Sequence, residues 1–303
     1  MEKQQNELIY EQAVRVLPPA LRARALQLAG PERGLVEELR LRVGQPLSAV
    51  LPDGERRLGS EIVLPGDLVQ LVELASQASL HAVLPQLRQG YLTVRGGHRI
   101  GLCGTAVMRE GAVHSLRQYS GANLRIAKQF PGVARPLLGV LWPSGEVCST
   151  LILSPPGMGK TTLLRDLVRS LSCGEIGARK RVSLVDERGE VAAMAAGFPQ
   201  LDVGPCTDIM EGCPKAQAML MMLRAMDPQI LAVDEITAPE DLRALESAQG
   251  CGVKLLATAH GCGREDLQRR GLYRQMLEKG LMEKLVLIRR DGEQRVYRVE
   301  ELR

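Results

Sequence analysis

The segment LILSPPGMGKTTLLRDL, Leu151–Leu167, sets a lysine and two threonines directly behind a turn that carries proline and glycine. An apolar run precedes the turn and a helix-forming run follows it. This order suits anion capture. Backbone N–H groups of a glycine-bearing turn point inward, and the next helix adds the positive end of its dipole. The phosphate-loop pattern is G-x-x-x-x-G-K-[ST]. Here it is filled by Ser154, Pro155, Pro156, Gly157, Met158, Gly159, Lys160 and Thr161, with Thr162 next. Ser154 replaces the first glycine, at the position that ends the strand, where a small residue serves. Lys160 is expected to reach the β- and γ-phosphates of ATP, and the Thr161 hydroxyl to bind Mg²⁺.

A second apolar run, QILAVDEI, ends in two carboxylates 74 residues beyond Lys160. Asp234 is expected to hold Mg²⁺ through water. Glu235 is expected to polarise the attacking water as a general base. VSLVDERGE puts Asp186, Glu187 and Arg188 after another apolar run, and VKLLATAHG does the same for Thr258 and His260. Glu187 is either a catalytic acid at the shared crevice or, with Asp186, part of a surface ion pair with Arg188. His260 either senses the γ-phosphate or caps a loop.

Such residues converge only if the strands carrying them are parallel neighbours, since their carboxyl ends then share one crevice. The second half supports that arrangement. Strands are predicted at 147–153, 181–186, 230–234, 253–258 and 284–289, with helices at about 160–172, 214–226 and 239–249 between them. VLIRRDGEQRVYRVEEL predicts a closing hairpin at Asp291-Gly292. The Met219, Met221, Met222 and Met226 set reads as helix packing. The first half predicts a small α+β domain. It has helical patterning over 5–29, a helix N-capped by Asp67, and a hairpin at Gly96-Gly97 within GYLTVRGGHRIGLCG. The predicted division is an α+β domain over 1–142 and an α/β domain over 147–303, with a linker at Trp142–Glu146.

The chain has 303 residues, 45% of them hydrophobic but only 3% aromatic, and a net charge of +4. Its cores must therefore be aliphatic, and base-stacking platforms are scarce. Residues 1–146 carry 17 Lys and Arg against 13 Asp and Glu, and only Lys3 and Lys128 of the 17 are lysines. Arginine suits fixed contacts to carboxylate or phosphate. Seven scattered cysteines without a C-x-x-C pair predict a reduced, cytosolic chain. The polar, acidic start predicts no signal peptide, and no apolar run of about 18 residues predicts a membrane span.

MLRAMDPQILAVDEITAPEDLRALESAQGCGVKLLATAHG resembles the RecA-like secretion ATPases, the motors of type II and type IV secretion and of pilus retraction. A narrower resemblance, over about residues 30–300, is to the stage III sporulation protein AA family. It is carried by GYLTVRGGHRIGLCG, NLRIA, SPPGMGKTTLLRD, VDERGE, DVGPCTDIMEGCPKA and VDEI. The resemblance implies a RecA-like P-loop NTPase core with a predominantly parallel sheet behind a smaller α+β N-terminal domain. It implies a Mg²⁺-dependent ATPase assembled as a hexameric ring. The ring would be peripheral to a membrane complex of the other stage III sporulation A proteins, between mother cell and forespore, with no transmembrane segment of its own.

It further implies arginines from the N-terminal domain closing a neighbour's site. Arg99 in GGHRIGLCG and Arg125 in NLRIA are the candidates, and pairing with acids inside their own domain is the alternative. The sequence departs from the secretion motors at Asp234, often Gly there, and at Thr237, near which they often carry Arg. A nucleic-acid-dependent RecA-like ATPase is the competing reading. The small net charge, the few aromatics and the lack of a recognisable nucleic-acid module weigh against it.

Overall fold

The computed structural model describes residues 2–76, 80–195, 197–292 and 294–302. Its elements fall into two compact units. One comprises residues 1–128 and 193–200, the other 129–192 and 201–303.

The first unit opens with α1 (Glu2–Ala13), α2 (Pro19–Ala25) and α3 (Gly30–Arg33). Pro18-Pro19 breaks the helical pattern, because Pro19 has no N–H to give and fits only the first turn of α2. There follow β1 (Glu38–Arg42), β2 (Pro46–Leu51), β3 (Gly54–Ile62), α4 (Pro65–Ala75), α5 (Leu80–Arg88), β4 (Tyr91–Val94), β5 (His98–Arg109) and β6 (Ala112–Arg125). The six strands form one antiparallel sheet in the order β3-β2-β1-β6-β5-β4. Alternation sorts its faces. Leu39, Leu41, Leu92, Ile100, Leu102 and Leu124 join the buried core with Tyr10, Leu17 and Leu68. Glu38, Arg40, Arg99 and Arg125 take the opposite parity.

Asp67 is not the N-cap of α4. Pro65 occupies the first turn and holds Leu64 extended as the cap residue, which moves Asp67 to the third position. Its carboxylate accepts the Leu64 N–H at 2.8 Å. Residues 77–79, in the same sequence segment, lie outside the described residues. The turn joining β4 and β5 needs its glycines, with Gly96 at φ +90 and Gly97 at φ +76. A Cβ at Gly96 would also lie 2.6 Å from His98 Nε2.

The second unit begins with α6 (Arg135–Leu141). Trp142, expected to open a linker, is 1% exposed within it. Next come β7 (Thr150–Ser154), α7 (Lys160–Cys173) and β8 (Val182–Asp186). The short strands β9 (Met194–Ala195) and β10 (Phe198–Pro199) pair with each other and belong to the first unit. The second unit resumes with β11 (Thr207–Glu211), α8 (Lys215–Ala225), β12 (Ile230–Val233), α9 (Pro239–Gly250) and β13 (Lys254–His260). It closes with α10 (Arg264–Arg269), α11 (Gly271–Glu278), β14 (Lys284–Asp291) and β15 (Gln294–Glu301).

Its seven strands run β11-β8-β12-β13-β7-β14-β15. The first six are mutually parallel, and β15 folds back antiparallel on β14. Leu151, Leu153, Leu231, Val233, Leu255 and Ala257 pack on one face with Met219 and Met222 of α8, Leu245 of α9 and Met276 of α11. Met221 and Met226 are exposed instead. Helix α7 packs against β7, β8 and β13 and contributes nothing to that cluster, so helices cover both faces. A parallel sheet requires this, because both faces of its strands are apolar. Strand β7 is buried at all five residues. Strand β11 and helices α10 and α11 have no counterpart among the predicted elements.

Candidate functional site

Strands β8, β12, β13 and β7 lie side by side and parallel, so Asp186, Asp234, His260 and Ser154 arrive at one edge of the sheet. Ser154 ends β7, and its hydroxyl donates to the Pro155 carbonyl at 2.9 Å. Pro155, Pro156 and Gly157 are exposed and Met158 is half-buried. Gly157 (φ +74) and Gly159 (φ +93) both need the left-handed backbone that glycine allows. Gly159 is the cap residue of α7, and Lys160, Thr161 and Thr162 form its first turn.

Lys160 is 7% exposed. Its ammonium donates to the Ser154 carbonyl at 3.2 Å and the Pro155 carbonyl at 3.3 Å, and meets His260 Nδ1 at 2.8 Å. Burial pulls its pKa down, against the attraction of Glu235 and Asp234. The other nitrogen of His260, Nε2, lies 3.3 Å from Glu235 Oε1. With Lys160 charged, Nδ1 must accept, so Nε2 carries the proton toward Glu235. A neutral imidazole thus bridges the lysine and the glutamate. The His260 carbonyl is held by Arg270 at 2.8 Å.

Asp234 sits between two hydroxyls. Thr258 donates to Oδ1 at 2.7 Å, and Thr161 to Oδ2 at 3.3 Å. Burial raises the Asp234 carboxyl above its ordinary range, with Asp186 adding to the rise and the Thr258 bond opposing it. Thr258 also accepts the Glu235 N–H at 2.8 Å, which fixes Glu235 at φ +51. That conformation is uncommon for a residue with a side chain. Glu235 therefore points away from the line of its strand, toward His260 and toward Arg188 at 3.5 Å.

The segment after β8 is built around Asp186. Its buried carboxylate accepts N–H groups of Glu190, Val191 and Ala192 at 2.8–3.0 Å. The Arg165 guanidinium of α7 donates to the Glu190 and Val191 carbonyls, both at 2.6 Å. Glu187 turns to Lys215 at 2.7 Å. The structure therefore gathers Ser154, Gly157, Gly159, Lys160, Thr161, Asp234, Glu235 and His260, while Glu187 binds elsewhere. Neither Asp186 nor Glu187 makes the ion pair with Arg188 that the sequence left open. Arg188 and Thr258 join the cluster instead. Sequence reasoning placed Thr258 at a strand end without a role, and nothing local marks Arg188 as a partner of Glu235.

Arg99 and Arg125 lie in the first unit, opposite each other across β5 and β6. The Arg99 guanidinium stacks 3.8 Å over the Tyr91 ring. Arg125 donates to Glu38 at 3.0 Å, and Arg40 pairs with the same carboxylate at 2.8 Å.

The residues fit a nucleotide phosphate with magnesium. Beyond Gly157 a Cβ would meet nothing within 4 Å, so the turn opens on free space. The half-buried Asp234 carboxylate beside the Thr161 hydroxyl is an oxygen donor set suited to a hard cation. No group of three or more His, Cys, Asp or Glu among the described residues could hold a metal alone. A magnesium ion here would complete its shell with phosphate and water, as it commonly does.

The family model for Sporulation stage III, protein AA matches residues 7–300. The chain belongs to this family. It is 36% identical over 270 residues to Stage III sporulation protein AA of Bacillus subtilis (strain 168), an alignment covering 87% of this chain and 86% of that protein. Among solved structures, this sporulation-family chain resembles the Legionella pneumophila ATPase DotB, with TM-score 0.59 and 18% identity, over 93% of this chain and 80% of that one. It also resembles the pilus retraction motor PilT with bound ADP, with TM-score 0.61 and 15% identity, over 88% and 79%. The family member thus has an α/β fold of the kind found in DotB and PilT. No helix among its described residues is long and apolar enough to cross a membrane.

Proposed function

We propose that this chain is a Mg²⁺-dependent ATPase with a RecA-like core, working as the motor subunit of a sporulation complex. The observation that carries the reading is Asp234. It is a half-buried carboxylate held by the Thr161 and Thr258 hydroxyls, one residue before Glu235 and beside the loop that holds Lys160. A strand end so furnished is costly unless a cation and an anion occupy it. Magnesium bound with ATP would neutralise charge building on the β- and γ-phosphates. Thr161 and Asp234 would hold it. Lys160 would leave the Ser154 and Pro155 carbonyls for the phosphates. Glu235, freed from His260, would orient the attacking water and take its proton.

The fold shared with DotB and PilT supports a ring, proposed as a hexamer in which Arg99 or Arg125 reaches a neighbour's phosphates. The family supports a place beside the other stage III sporulation A proteins, where the ring would energise a membrane channel from the cytoplasmic side.

The test is ATP hydrolysis by the purified chain with Mg²⁺, beside Lys160→Ala. Removing the charge that meets the phosphates should slow turnover by about 10²-fold or more. Equal turnover in the two proteins overturns the reading.

A further inference from the structure

The β14–β15 hairpin brings to the loop a residue that sequence reasoning did not consider. β14 pairs in parallel with β7, the strand that ends at the loop, and β15 lies beyond it. Gly159 packs against the Arg295 guanidinium. A methyl group in place of its hydrogen would lie 3.1 Å from both Cζ and Nη1 of Arg295. Gly159 is thus glycine on two counts, its left-handed backbone and the cation laid against it.

Arg290 stands directly opposite Arg295 in the hairpin register. Residues so paired project to the same face, and like charges there repel. Neither arginine makes an ion pair among the described residues. Asp291, the nearest acid in sequence to Arg290, has the opposite parity. Two exposed arginines therefore pair across the hairpin without an ion pair of their own among the described residues, and one of them, Arg295, lies against Gly159 at the positive end of α7.

We propose that Arg295 is a phosphate-contacting residue supplied in cis, with Arg290 raising the local positive potential beside it. The ligand class is a nucleoside di- or triphosphate held by residues 154–161. The inference rests on the nucleotide reading above. Its own content is that the C-terminal hairpin of the same chain reads the charge of the phosphate chain. Arg295 acts on ground-state binding of the phosphates, whereas Glu235 acts on the water. Loss of Arg295 should therefore weaken affinity more than turnover at saturation.

The experiment is equilibrium binding of fluorescent ADP, with Mg²⁺, to the full chain and to Arg295→Ala, Arg295→Lys and Arg298→Ala. Arg298 pairs with Glu300 at 3.1 Å on the other face of the hairpin and serves as the control. Removing a charge-assisted hydrogen bond to a phosphate should raise Kd roughly tenfold or more in Arg295→Ala. Arg295→Lys should recover part of that affinity, and Arg298→Ala should match the unaltered chain. The proposal is overturned by a Kd for Arg295→Ala within about twofold of the unaltered chain. It is equally overturned if Arg298→Ala loses as much, or if Arg295→Lys recovers nothing, because the hairpin's shape rather than its charge would then be responsible. Failure of the unaltered chain to bind ADP at all would instead sink the nucleotide reading.

Discussion

Both units concentrate charge on a sheet, but at different energetic cost. In the first unit, Arg40, Arg99 and Arg125 project from one face of an antiparallel sheet, and each has a local partner, Glu38 for Arg40 and Arg125 and the Tyr91 ring for Arg99. Arg125 is largely exposed, so its ion pair is worth at most about 1 kcal/mol. In the second unit the charges lie at the ends of buried parallel strands. There burial is the leading cause that drives Lys160 down and Asp186 and Asp234 up in pKa, with Asp186 adding to the rise at Asp234. Charge that is expensive to keep marks the chemistry, and charge that is cheap to keep can be lent elsewhere. Arg125 can leave Glu38 at little cost, whereas Lys160 cannot go uncompensated.

Glu235→Gln should give the largest effect and sharpen this contrast. The amide keeps the size and loses the base, so turnover should fall by about 10²–10⁴-fold while ATP still binds. Nucleotide affinity measured beside turnover decides it. If both collapse together, Glu235 braces the turn at its positive φ rather than handling the water.

Arg125→Ala could break the contrast. If this exposed residue serves a neighbour's site, turnover should fall by about 10³-fold. Mixtures with Lys160→Ala protein should then regain part of it, because some interfaces join an intact loop to an intact arginine. No recovery at any ratio, with mixed assembly verified, removes Arg125 from that role, and the same mixing with Arg99→Ala tests the other candidate.

The smallest effect concerns a buried titratable ring of the first unit. His98 is fully buried, its Nδ1 accepts the Ala127 N–H at 3.1 Å, and burial pushes its pKa down to about 4. The folded chain keeps this ring neutral, while the unfolded chain protonates it below its ordinary pKa. The stability due to neutral His98 is therefore complete above about pH 6.5 and is lost as pH falls toward 4. Between pH 7 and pH 5 the loss should be about 2 kcal/mol. Thermal unfolding across that range should show it, and His98→Gln should flatten the dependence. An identical slope in the variant would assign the acid sensitivity to other groups.

The loop and the Asp234-Glu235 pair were legible because each is a short apolar strand followed at once by its polar residues. Strand β11 was not, because Thr207–Glu211 forms the sheet's edge and is nowhere fully buried, so its alternation is faint. Helices α10 and α11 were hidden in a charge-rich stretch where Leu267, Tyr273 and Met276 supply the burial. The roles within VDERGE were beyond local reading. Three successive N–H groups claim Asp186, a lysine 28 residues on claims Glu187, and Arg188 is left for Glu235. Asp67 was misplaced by three positions, from the N-cap to the third residue of α4, since the Pro65 constraint outweighs its own capping preference.

The imidazole of His260 also bears on how a cycle could end. A lysine at 7% exposure that had only phosphate for company would grip a spent nucleotide, since departure would strand its charge. Here two carbonyls and a ring nitrogen stand ready to take it back. In the proposed ATPase cycle they would compete with the product for the same ammonium. The loop would then be a resting place with its own satisfied hydrogen bonds, and exchange would not wait on an incoming triphosphate to displace the old one.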